Sequence, residues 1–172
     1  AASEAADVIW SNGTPASDDH PYLVKKGIAA HGLRVTGDGR LIAPMMAQDG
    51  TVTSLQFIAA DGEKRFLGGG AVKSASWMIG EWRDAGAIYI AEGVATAASI
   101  YAATSQPCIV AYSAGNLEAV AVMVREMAGQ ARDLVVVGDH DDSGTGEREG
   151  RKAAQASGAR FVMPPNLGDA ND

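Results

Sequence analysis

Hydrophobic and polar positions divide the chain into two halves with different rhythms. In the first, the runs LIAPMMA (41–47), TVTSLQFIA (51–59) and EKRFL (63–67) are rich in strand-forming residues and are separated by Asp49-Gly50 and Asp61-Gly62. Asp-Gly pairs between such runs signal hairpins, because glycine accepts the positive φ that tight turns require. Three antiparallel strands are expected here. Gly68-Gly69-Gly70 then interrupts the pattern, and SASWMIG (74–80) resumes as a short strand. Upstream, residues 20–30 read as a helix with Pro21 in its first turn and Asp18 or Asp19 as its cap.

The second half alternates apolar runs with helical stretches. AIYIA (87–91), CIVAY (108–112), DLVVVG (133–138) and RFVMP (160–164) read as strands, and 93–104, 117–129 and 145–156 as helices. Continuously apolar strands between helices imply a parallel sheet covered on both faces. The expected fold is α/β, a parallel sheet flanked by helices over residues 86–172. A small α+β subdomain with antiparallel strands over 20–85 precedes it. Residues 1–19, rich in Ala, Ser and Asp, are expected to be partly mobile. Sheets of this kind put ligands at the carboxyl ends of their strands, and Glu92, Ser113 and Asp139 each follow a strand.

Composition narrows the class. Of 172 residues, 47% are hydrophobic and 20% charged, as in a globular protein. The net charge of −7 argues against a generic basic coat for nucleic acid, but not against metal-dependent chemistry, which needs local carboxylates. Residues 1–86 carry 8 basic and 10 acidic residues, and 87–172 carry 6 and 11, so the excess lies in the second half. A single cysteine, Cys108, excludes an intramolecular disulfide framework and a cysteine zinc cluster. No run reaches the roughly 20 apolar residues of a membrane span, and no basic start precedes an apolar core. A cytoplasmic location is expected. The start at Ala1 and the ending in an Asp/Asn cluster suggest a domain of a longer protein.

The sharpest chemical signal is Gly138-Asp139-His140-Asp141-Asp142-Ser143-Gly144. Its crowded carboxylates repel one another unless a cation compensates, and hard divalent ions such as Mg2+ take oxygen ligands. A solvated turn capping the next helix is the plainer alternative, but the preceding apolar strand aims the cluster at the functional edge. Glu92 ends a strand beside a helix N-terminus, where the dipole favours an ionised acid. One βαβα passage separates it from Asp139, which brings both acids to one edge. A glutamate serving as general base or metal ligand, beside a metal-binding Asp-x-Asp, suits phosphoryl transfer. Asp169-Ala170-Asn171-Asp172 either closes the same cluster or forms a polar tail.

Glu92-Gly93 after one strand, Asp139-x-Asp141 after a later one, and a terminal acidic element resemble the Toprim domain. That domain is shared by bacterial-type primases, type IA and II topoisomerases, recombination-associated proteins and some nucleases. Tyr22-Leu23, Lys26-Gly27-Ile28, AQDGTVTSLQFIAADGEKRFLGGG (47–70) and WMIG (77–80) resemble the lead-in of phage and plasmid primases, and Gly168-Asp169-Ala170-Asn171-Asp172 their closing element. The resemblance covers residues 20–172. It implies primer synthesis from NTPs or dNTPs on single-stranded DNA, in phage or plasmid replication or conjugation. It implies Glu92 as the catalytic glutamate, and Asp139 and Asp141 as catalytic ligands of Mg2+ or Mn2+. Glu92, Asp142, Asp169 and Asp172 are further metal candidates. It also implies a replicative helicase or relaxase in the same or a partner chain, and no membrane. Thr96 stands where replicative bacterial primases carry another acid, and the zinc module that usually precedes such primases is absent.

Lys64, Arg65 and Lys73 flank the glycine loop and, with Asn116, are candidates for nucleic-acid or nucleotide binding. Lys25, Lys26 and Arg34 lie upstream. A charged strand edge that deters aggregation is the alternative for the first group, and shaping of the loop after 108–112 for Asn116. Trp10, Trp77 and Trp82 could stack on bases, although Trp77 reads as core. Rival motifs fit less well. An EF-hand loop starting at Asp139 would need Glu where Gly150 stands. An aspartyl-phosphate phosphatase would open its fold with this motif. Ala111-Tyr112-Ser113-Ala114-Gly115 lacks the first glycine of a nucleophile elbow. Toprim strand cleavage, or a binding module without catalysis, remains the alternative function.

Overall fold

The computed structural model describes residues 2–165. Two compact units divide the chain, one through Trp77 and one from Met78 onward.

In the first unit, helix α1 (Ala2–Asn12) occupies the segment expected to be partly mobile. It buries Ala6 against Val52 and Leu55, with Ile9 and Trp10 packed alongside. A five-stranded antiparallel sheet follows in the order β1-β2-β3-β4-β5. Its strands are β1 (Thr14–Pro15), β2 (Arg34–Val35), β3 (Leu41–Met46), β4 (Val52–Ile58) and β5 (Lys64–Phe66). The three longer strands are those read from the hydrophobic runs, and both Asp-Gly turns have their glycine at positive φ. Pro44 is tolerated within β3 because β2 pairs only with Leu41 and Ile42, so that edge asks no donor of it. Helix α2 (Pro21–Lys26) is shorter than expected. Gly27, at φ 64, ends it in the left-handed conformation. The ring of His20 caps its start, while Asp18 accepts from the amide of Ala30 at 2.7 Å.

The second sheet has the order β10-β9-β7-β8-β6, formed by β6 (Trp77–Ile79), β7 (Ile88–Ala91), β8 (Cys108–Val110), β9 (Leu134–Val137) and β10 (Arg160–Val162). Strands β8, β7, β9 and β10 run parallel. The sheet is mixed but mostly parallel, and β6 adds an edge strand. Helices α3 (Val94–Thr104), α4 (Leu117–Ala128) and α5 (Thr145–Ser157) connect the strands. Side chains alternate across a strand. Ile88, Ile90, Ile109, Ala111, Leu134 and Val136 form one core with Leu117, Val120, Val124 and Ala153 of α4 and α5. The intervening Ala91, Cys108, Val110, Val135 and Val137 are also buried, on the opposite face, and α3 packs on β7 and β8. Coverage of both faces explains why these strands are apolar throughout. Arg125 is buried and donates to the carbonyls of Ser157 (2.6 Å), Gly158 (3.0 Å), Gly129 (2.9 Å) and Arg132 (2.7 Å). It satisfies carbonyls that the ends of α4 and α5 would otherwise leave open.

Candidate active site

Strands β7 and β9 are neighbours, with Ala91 opposite Val137. Glu92 therefore leaves its strand level with Gly138, and Asp139 follows one residue on. Parallel neighbours lie about 4.8 Å apart, so the fold brings these two acids to one sheet edge. Both are half-buried, and Asp139 Oδ1 is shielded from solvent. The main chain of Glu92 is held by the amide of Tyr112, which donates to its carbonyl at 2.8 Å. Gly93 then starts α3.

The loop between β9 and α5 is built around Asp141. Its Oδ2 accepts from the amide of Gly146 at 2.7 Å, and its Oδ1 accepts from the amide of Thr145 and the hydroxyl of Ser143. The Ser143 hydroxyl and the amides of Gly146 and Thr145 hold the Asp141 carboxyl down to about 2. Asp141 thus caps α5, the role the plainer reading of the sequence allowed. Its neighbour Asp142 is exposed. His140 Nδ1 lies 3.1 Å from the carbonyl of Pro164, tying the loop to the segment after β10.

Glycines let these parts meet. A Cβ at Gly146 would strike the carbonyl oxygen of Asp139, and one at Gly138 would lie 2.9 Å from the Gly146 carbonyl. A Cβ at Gly150 would press on the Phe161 ring. Neither Gly146 nor Gly150 is among the site candidates that the sequence offers. Their signal is two glycines within a helix, each unfavourable by roughly 1 kcal/mol against alanine unless close approach requires it.

Among the described residues, no three His, Cys, Asp or Glu side chains converge as a metal cage. The acids present nevertheless suit Mg2+ by chemistry: Glu92, Asp139 and Asp142 offer only oxygen donors, and that ion commonly keeps several waters. Asp169 and Asp172 lie outside the described residues. Thr96 is buried.

The other candidates are placed as follows. Asn116 is buried and its Nδ2 donates to the Ala111 carbonyl at 2.9 Å, shaping the loop after β8. Lys64, Arg65 and Lys73 are exposed in the first unit. Lys64 and Arg65 lie on edge strand β5, and Arg65 pairs with Glu63 at 2.7 Å. A Cβ at Gly70 would run into Ser54, so that glycine serves close packing on β4. Arg34 lies over the Trp10 ring, 4.6 Å from its centroid. Trp82 is exposed and Trp77 half-buried at the start of β6.

A helix-flanked, mostly parallel sheet with acids leaving adjacent strands is a Toprim-like α/β architecture. The chain belongs to the Toprim domain family, whose match spans residues 87–172. Two Escherichia coli proteins named DNA primase TraC are 29% and 30% identical to it over 162 residues, each alignment covering 87% of this chain. The chain spans only 15% and 11% of their lengths. The primase fragment of the bacteriophage T7 primase-helicase protein superposes with a TM-score of 0.67 at 21% identity, covering 88% of this chain and 67% of that one. The DnaG catalytic core gives 0.63 at 10% identity, covering 99% and 74%. The fold is therefore that of DnaG-type primases.

Proposed function

We propose that this chain is the catalytic Toprim part of a DNA primase, a nucleotidyltransferase making short primers on single-stranded DNA in phage or plasmid replication or conjugation. The observation carrying this reading is the pairing of Glu92 and Asp139 at the ends of adjacent parallel strands, in a chain similar to DNA primases over most of its length. In the reaction, a primer 3′-hydroxyl oxygen bonds to the α-phosphorus of an NTP or dNTP. The α–β phosphoanhydride bond breaks, pyrophosphate departs, and Glu92 takes the hydroxyl proton. Glu92, Asp139 and Asp141, with Asp142, Asp169 and Asp172 as further donors, would hold Mg2+ or Mn2+, which would supply charge neutralisation at the phosphoryl group. Asp141 also keeps Asp139 in place through its cap on α5. Lys64, Arg65, Lys73 and Asn116 are assigned to template or nucleotide contacts. A replicative helicase or relaxase is the expected partner.

Strand cleavage of the type IA or II topoisomerase kind would call for a tyrosine nucleophile, usually supplied by another domain. Tyr22 and Tyr112 are buried and Tyr89 and Tyr101 half-buried, so none of the four stands open for that role. The test is incubation with single-stranded DNA, labelled NTPs or dNTPs, and Mg2+ or Mn2+. Short labelled products that vanish in Asp139→Ala/Asp141→Ala are expected. Nicked template in place of products would favour the nuclease reading. Metal and DNA binding without turnover would favour a binding module.

A further inference from the structure

Four non-glycine residues among those described have a positive φ, and Tyr112, at 70°, is the buried one. Left-handed backbone crowds the Cβ of an L-residue, and a bulky residue there is a genuine outlier. Such strain persists only where the surroundings over-determine it, and it clusters at functional sites. Here the surroundings are specific. The last register pair of β7 and β8 is Ala91 with Val110. Two further amides continue the ladder beyond it, Ala111 to the Ala91 carbonyl and Tyr112 to the Glu92 carbonyl, both at 2.8 Å. The left-handed turn at Tyr112 comes at the end of that ladder and passes the chain to extended Ser113 and the 3-10 turn Ala114–Asn116. Asn116 Nδ2 reaches back to the Ala111 carbonyl, which closes the loop. The Tyr112 ring is buried, and burial pushes its phenol well above the ordinary range, so it stays neutral.

We infer that Tyr112 is a positioning residue for Glu92: its amide holds the Glu92 carbonyl, and its left-handed φ turns the chain directly behind that bond into the loop closed by Asn116, which together set where the Glu92 carboxylate emerges beside Asp139. This inference rests on the proposed role of Glu92. A purely structural core tyrosine would depend on its ring. A positioning residue depends on its φ.

The test compares substitutions that separate the two. Asn and His tolerate left-handed backbone, whereas β-branched Val does not. Tyr112→His, Tyr112→Asn and Tyr112→Val are compared for kcat and KM in primer synthesis and for hydrogen exchange of the residue-112 amide, beside Glu92→Gln. Tyr112→His and Tyr112→Asn should keep the amide protected and kcat within roughly threefold. Tyr112→Val should lose that protection and roughly 10- to 100-fold in kcat, as expected for a misplaced catalytic group, with template KM unchanged. Equal exchange and kcat in the Asn and Val variants would overturn the inference. So would a folded His variant as inactive as Glu92→Gln, which keeps the test decisive if the Val variant does not fold. Full activity in Glu92→Gln would instead remove the role of Glu92 on which the inference stands.

Discussion

A methyl group at Gly146 would meet the carbonyl oxygen of Asp139 and stand 3.0 Å from Asp141 Oδ2. Both obstacles belong to the acidic loop, and one is backbone, so relief requires the first turn of α5 to move. Overpacking of this kind costs roughly 1–3 kcal/mol. Gly146→Ala should lower thermal stability by that order and weaken metal-dependent primer synthesis. Calorimetry and the primer assay check both, and an unchanged melting temperature would show that the loop has slack there. At this scale the sequence is partly transparent. Glu92 and Asp139 stand out because a polar residue directly after an apolar strand is conspicuous. The dual use of Asp141 was open as two competing readings, and the structure displays the capping one. Tyr112 could not be found by type, since nothing in a tyrosine announces a positive φ. Lys64, Arg65 and Lys73 stand out by their charge beside the glycine loop, and neither feature says what a side chain faces.

Edge strand β10 is fastened to the start of β9 by a forked ion pair. Arg160 donates to Asp133 through Nε at 3.0 Å and Nη2 at 2.6 Å, and the guanidinium holds the Asp133 carboxyl below its ordinary range. A lowered folded pKa stabilises above the unfolded value, near 3.9 for Asp, and that stability is lost as pH falls through the folded value. Wild type should therefore exceed Asp133→Asn in urea midpoint at about pH 6, with the gap closing as pH falls below the ordinary carboxylate range. The pair is exposed, so roughly 1 M salt should narrow the gap as well. A gap unchanged at low pH would mean that the variant acts through packing. Elements with a strong pattern were legible: β3 to β5, and the alternation from β7 to β10. Those without one were not. Strands β1 and β2 are two residues each, too short for any period. Helix α1 was hidden by a composition that suits loops equally well. Helix α2 was overextended because Gly27 stops it through its φ. Strand β6 was read as a continuation of the first half, yet it pairs beside β8.

The whole molecule combines two units that solve different problems. The first packs α1 on one face of an antiparallel sheet whose central strands β3 and β4 are buried almost throughout. The second buries both faces of a mostly parallel sheet and leaves only the strand ends for chemistry. Acidic excess is concentrated in residues 87–172, with 11 acidic against 6 basic residues. That field would oppose the phosphates of the proposed nucleotide and DNA substrates unless divalent ions offset it. In the proposed reaction Glu92 performs its chemistry beside Asp139. Its most direct test is the rate of phosphodiester formation on a preformed primer-template, for wild type and Glu92→Gln at saturating Mn2+. Loss of a general base or metal-positioning carboxylate should slow the variant by roughly 100-fold or more, with template binding unchanged. A variant within about threefold of wild type would mean that Glu92 takes no part in the chemistry, because a general base contributes far more than that.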